Sequence, residues 1–170
     1  ARLLTRGKQA WQYGYIEIRA KLPEGRGTWP AIWMLPEENR FGGWPKNGEI
    51  DIMEHVGYDP GVVHGTVHTG AFNHMKGTQK GQQVQVPTFK KDFHTYAIDW
   101  REDSIEWFFN DRSFQKFSRN EGDFVDKAWP FNDYFYLIIN QAIGGWFVGE
   151  VDPQLHTSKL EIAYIKHFMI

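Results

Sequence analysis

The chain contains no cysteine. That excludes disulfides and thiolate metal centres and leaves the redox compartment open. No apolar run approaches the ~20 residues that cross a bilayer as a helix, so no membrane is expected as a partner. The N-terminal stretch ARLLTRGKQAW is basic, but no apolar segment follows it, so it does not read as a leader. There is no block of like charge. With 19 basic and 21 acidic residues the formal net charge is -2, which argues against nucleic acid or another polyanion. Internal repeats, low-complexity tracts and linkers are missing. The 170 residues read as one domain over 1–170, long enough to bury a core and expected as a monomer. Helical periodicity is also lacking; only Phe124 to Trp129 reads as a short turn.

Aromatic residues, by contrast, are abundant: 8 Trp, 7 Tyr and 13 Phe exceed what an average domain carries. Core packing accounts for roughly half of them; the rest point to a groove that takes a flat, partly apolar ligand face. Alternation with period two recurs along the chain. Tyr13 to Leu22 sets Glu17, Arg19 and Lys21 on one face. His94 to Trp100 and Ser104 to Phe109 read as further strands, the latter followed by an Asn110-Asp111 turn, and Tyr134 to Ile143 and Lys159 to Phe168 complete the set. Gly, Pro, Asn and Asp clusters separate them. Short strands at this spacing predict an all-β, antiparallel β-sandwich. The polar stretch Gly70 to Pro87 reads as a surface loop of the kind that shapes a cleft.

The most informative segment is Gly48-Glu49-Ile50-Asp51-Ile52-Met53-Glu54-His55. As a strand it sets Glu49 and Asp51 on one face and Ile50 and Ile52 on the other. Glu54, five residues from Glu49, falls on the core face, where an unpaired carboxylate is costly. One extra residue near Ile52-Met53 returns it to the acid face, so the pattern predicts a β-bulge there. Generic acid patches are most often solvated. This one lies on an otherwise apolar strand, which points to a site where pKa values are pushed apart. Glycoside hydrolysis needs such a pair: one carboxylate to attack the anomeric carbon and one carboxylic acid to protonate the leaving oxygen.

With Trp11-Gln12-Tyr13-Gly14, Lys21-Leu22-Pro23, Trp29 to Leu35, Gly48 to His55, His64 to Thr69, His74 to Gln79, Trp129-Pro130-Phe131 and Ile139 to Gly145 in this order, the chain resembles glycoside hydrolase family 16, in its laminarinase-like branch. The match runs over nearly the whole sequence. The resemblance implies a concanavalin-like jelly roll with a cleft across one sheet. It implies retaining endo-hydrolysis of β-1,3-glucan, with Glu49 as nucleophile, Glu54 as acid/base and Asp51 assisting between them. It also implies a polysaccharide partner, no cofactor and an extracellular or periplasmic address. The residue Met53 matches the bulged branch; lichenases and xyloglucan-active relatives usually lack it. Retention is not legible in the spacing, because four effective strand steps span ~13 Å while retaining carboxyls stand ~5–5.5 Å apart.

Two departures stand out. The match begins just before the first glycine-containing strand, so N-terminal strands of the family are expected to be missing or replaced. In addition, Ala163-Tyr164 stands where many relatives carry Asp-Tyr, so no calcium is expected at that point. The expected substrate-binding residues are Trp29, Trp33, Trp44, His68, Asn140, Gln141 and Trp146. Trp44, on a loop after Gly42-Gly43, is the favoured stacking platform, and Trp33 is balanced between cleft and core. His64 and His68, four apart on one strand, form with Glu54 or His74 a weaker zinc alternative; no metal is expected. Other β-linked polymers (mixed-linkage glucan, agarose, carrageenan) and a non-catalytic glucan-binding module remain alternatives.

Overall fold

A computed structural model of the chain describes residues 1–124 and 127–169. Among these residues the strands are β1 (Arg2–Leu4), β2 (Gly14–Lys21), β3 (Thr28–Pro36), β4 (Glu49–His55), β5 (Val62–His68), β6 (Lys80–Gln85), β7 (His94–Trp100), β8 (Ser104–Phe109), β9 (Arg112–Ser118), β10 (Phe135–Ile143) and β11 (Glu161–Phe168). One 3-10 turn, His74–Lys76, is the only helical element among them. All pairings are antiparallel. They form a six-stranded sheet, β1-β10-β3-β4-β5-β6, and a five-stranded sheet, β11-β2-β7-β8-β9. The two sheets make the expected jelly-roll sandwich.

Alternation explains which side chains meet between the sheets. In β2, Ile16, Ile18 and Ala20 are buried, while Tyr15, Glu17, Arg19 and Lys21 face outward. Tyr96, Ile98 and Trp100 of β7 join them from the same sheet; Ile32, Met34, Leu137 and Ile139 meet them from the other. The buried indoles satisfy their N–H groups: Trp100 donates to the Phe131 carbonyl at 3.1 Å and Trp129 to the Glu102 carbonyl at 2.9 Å. The Asn110-Asp111 turn joins β8 to β9 with φ of 45° and 64°, the left-handed conformation that a two-residue hairpin with the right twist requires.

The acid strand β4 lies inside its sheet, between β3 and β5. Its register shows the expected bulge. Against β3, Asp51 pairs with Trp33 and Met53 with Ile32, so Ile52 is extra. Against β5, Asp51 pairs with Thr66 and Glu54 with His64, so two residues, Ile52 and Met53, oppose Gly65 alone. Ile50, Ile52 and Met53 all enter the core, and the three acids share the opposite face.

One reading of the sequence needs correction. Gly70 to Pro87 is not all loop: it contains the 3-10 turn and the edge strand β6, which pairs with β5 from Val62↔Gln85 to Val67↔Lys80. The strand escaped notice because its side chains are exposed apart from a half-buried Val84, and a strand without an apolar face has no period-two signature. The turn expected at Phe124 to Trp129 is supported at its ends, where the N–H groups of Lys127, Ala128 and Trp129 donate to the Phe124 carbonyl; residues 125 and 126 lie outside the described residues. Ala163 is the extra residue of a second bulge, where β11 shifts register against β2 between Ile162 and Tyr164.

Candidate active site

Side chains from β3, β4, β5 and β10 that point away from the core line a cleft of about 1060 Å³, closed off by the loops around Trp44, His74 and Trp146. Glu49, Asp51 and Glu54 form its floor, and all seven expected substrate-binding residues line it. Each catalytic candidate has a distinct partner. Glu54 Oε1 accepts from Trp29 Nε1 at 3.0 Å and Glu49 Oε2 from Trp44 Nε1 at 2.7 Å. His68 Nε2 lies 3.3 Å from Asp51 Oδ2 and 4.0 Å from Glu49 Oε1. The two tryptophans thus do more than stack: each orients one glutamate.

Electrostatics follow from this crowding. Burial raises the Glu49 carboxyl well above the ordinary carboxylate range; Asp51 adds to the rise and His68 opposes it. Asp51 is also raised well above its usual value, first by burial and then by Glu54. Glu54 is raised by burial, with the Trp29 hydrogen bond and His68 pulling against it. Three buried carboxyls this close do not all ionise, so the cluster retains protons at pH values where free carboxyls have lost theirs. Asp51 Oδ2 has no conventional hydrogen bond, leaving it open to take up a proton from a neighbour.

The remaining residues form the walls. Trp33 Nε1 donates to Asn140 Oδ1 at 2.7 Å, and the Arg2 guanidinium lies 5.3 Å from the Trp33 ring, which places Trp33 at the cleft and not in the core. Gln141 lines the cleft, but its amide nitrogen is tied to Ser158 Oγ at 2.9 Å. Trp146 is 73% exposed, a rim residue. His74 lies between Trp44 and Trp146, 5.0 Å from each ring at 35°. Trp146 in turn meets Trp29 edge-on at 6.4 Å, so an aromatic arc links the indole on Glu49 to the indole on Glu54. His74 and Phe147 were not among the expected binding residues. His74 sits in the quoted HMKGTQ stretch, but only tertiary packing brings it to the rim. The side chains close enough to share a cation, among the described residues, are Glu49, Asp51 and His68, with ligand atoms within 4.8 Å of one another. His64 is not part of that group, so the zinc set considered from the sequence is not assembled.

The sequence profile described as "Glycosyl hydrolases family 16" matches residues 3–166. The chain belongs to this family. It is 52% identical to a Rhodothermus marinus protein named "Beta-glucanase", over 98% of this chain and 60% of the relative. It is 40% identical to a "Glucan endo-1,3-beta-glucosidase" of Cryptopygus antarcticus, over 98% of this chain and 65% of the relative. The crystal structure of the Rhodothermus marinus laminarinase superposes with a TM-score of 0.95 at 51% identity, covering 98% of this chain and 69% of that one. The chain therefore spans about three fifths of the length of the curated relatives it matches. Family membership accounts for the sandwich.

Proposed function

We propose that this protein hydrolyses internal bonds of β-1,3-glucan with retention of configuration. The observation that carries the reading is the bulge at Ile52-Met53, which sets Glu49, Asp51 and Glu54 on one cleft face with a separate indole donor on each glutamate. Glu49 is the nucleophile. Asp51 takes up its proton, and the Trp44 N–H steadies the resulting carboxylate. A Glu49 oxygen attacks the anomeric carbon while the glycosidic C–O bond breaks, and the leaving oxygen takes the Glu54 proton. Water then attacks the glycosyl-enzyme, Glu54 accepts its proton, and the ester to Glu49 breaks. Burial raises the Glu54 carboxyl above its ordinary value, the direction that this acid role needs. The aromatic-walled cleft, which runs across four strands of the sheet, suits a polymer lying across it. A polymer of this size does not cross membranes, so the proposal includes an extracellular or periplasmic site of action, and the chain works as a monomer.

The test is depolymerisation of laminarin beside mixed-linkage glucan, agarose and carrageenan, with products identified by size and anomeric form. The expected result is short β-1,3 oligosaccharides, β-configured when first released, and a preference for laminarin. Glu49→Gln and Glu54→Gln each lose about 10²–10⁴-fold in kcat. Near wild-type rates in either variant would overturn the assignment. Laminarin binding without cleavage by the unaltered chain would identify a binding module instead.

A further inference from the structure

We infer that Trp107 is a positioning residue for the acid pair: its indole reaches through the core from the other sheet and holds the bulge that aims Glu54 into the cleft. Trp107 lies on β8, is fully buried, and donates from Nε1 to the Asp51 carbonyl at 2.8 Å. Asp51 is the last regularly paired residue before the bulge on both of its neighbours. Gly65, the single residue opposing Ile52 and Met53, makes room for the indole. A Cβ there would lie 2.5 Å from Trp107 Cδ1 and 2.9 Å from Nε1. Trp107 itself borders another register irregularity, where the β8–β9 pairing shifts between Trp107 and Phe108. Bulges re-aim side chains. Here one irregularity in each sheet is joined to the other through a single hydrogen bond.

The contact reaches the reacting groups only through the backbone of β4. Without the donor, the Asp51 carbonyl loses this hydrogen bond beside the bulge, and the strand relaxes by shifting the bulge or loosening it. Small displacements of paired carboxyls are expensive in rate, since misplacement of about 1 Å costs about a hundredfold. The inference rests on the proposed hydrolytic role of Glu49 and Glu54; its structural half, that the indole holds the bulge, stands without that role.

The test compares Trp107→Phe, which keeps a ring and removes the donor, with Trp129→Phe, which removes an equally buried indole N–H bonded to the Glu102 carbonyl away from the cleft. Trp107→Phe is expected to lower kcat on laminarin about ten- to a hundredfold, with KM nearly unchanged and the limbs of the pH–kcat profile displaced. Trp129→Phe is expected to lower Tm while keeping kcat and the profile. A folded Trp107→Phe with native kcat and pH profile overturns the inference. A second readout needs neither variant nor activity: in the native protein, the Trp107 indole N–H and the amides of residues 52–54 are expected to exchange with deuterium through one shared opening. An indole that exchanges faster than those amides, by itself, also overturns it. Should the native chain hydrolyse none of the glucans, the proposed function fails, and the exchange experiment still decides whether Trp107 holds the bulge.

Discussion

At the scale of single residues, the cleft acids work against the stability of the fold. Asp51 is buried with its carboxyl raised well above the usual range, so the folded chain keeps a proton that the unfolded chain has released. Between the ordinary carboxylate pKa and the raised one, the folded state binds more protons, and stability from this group falls as pH rises. Asp51→Asn removes that dependence. Its Tm is expected to exceed that of the native protein by more at pH 7 than at pH 4, measured by calorimetry, while its activity drops. His55 acts in the opposite sense. Burial, reinforced by His64, pushes its imidazole down to about 4, and its Nε2 accepts from the Gly61 N–H at 3.1 Å. The unfolded imidazole takes a proton near its ordinary value of about 6.5. From there down to about 4 the unfolded state holds the extra proton, so stability falls as pH falls through that window. His55→Gln, which still offers an acceptor, is expected to flatten the acid side of the Tm–pH curve; an unchanged slope would show that another group sets it.

At the scale of the element, the parity of one strand governs the chemistry. With Met53 present, the bulge absorbs one residue and Glu54 shares a face with Glu49. With Met53 deleted, the two glutamates are four apart, and a regular ladder sets them on the same face as well. The deletion is therefore expected to retain measurable laminarin hydrolysis, at a stability cost of about 2–5 kcal/mol for the lost buried side chain. Inserting an alanine after Met53 sets the glutamates six apart. With the bulge kept, Glu54 turns into the core, and with a regular ladder it moves about 7 Å farther along the strand. Hydrolysis is therefore expected to be abolished in a chain that still folds. Equal activity in deletion and insertion would show that the spacing of the two glutamates along β4 is not what matters. The bulge was legible because Glu54 otherwise entered the core, an outcome that the cost of a buried charge rules out. The edge strand β6 was not legible, since pairing with β5 needs backbone groups alone and leaves no pattern in Lys80–Gln85.

Across the whole molecule, one core joins both sheets. Trp100 packs edge-on against Phe135 at 5.3 Å, and Trp129 and Phe131 extend the same cluster. Neither sheet buries its inner face alone, so unfolding is expected to be a single cooperative transition. Far-ultraviolet dichroism, tryptophan fluorescence and loss of activity are expected to coincide in denaturant; separated midpoints would show that the cleft opens before the sandwich melts.

The amino-acid order by itself determined the all-β class, the outward and inward faces of β2, the acid strand and its bulge. Each follows from local alternation or from the penalty for burying a charge, and both are properties of neighbours in sequence. The partners of those acids were decided by tertiary structure. Trp44 and Trp29 bond the two glutamates, His74 slips between Trp44 and Trp146, and Trp107 reaches the Asp51 carbonyl from the opposite sheet. These contacts join residues up to 72 positions apart. Sheet packing and loop closure bring them together, and neither leaves a period in the sequence.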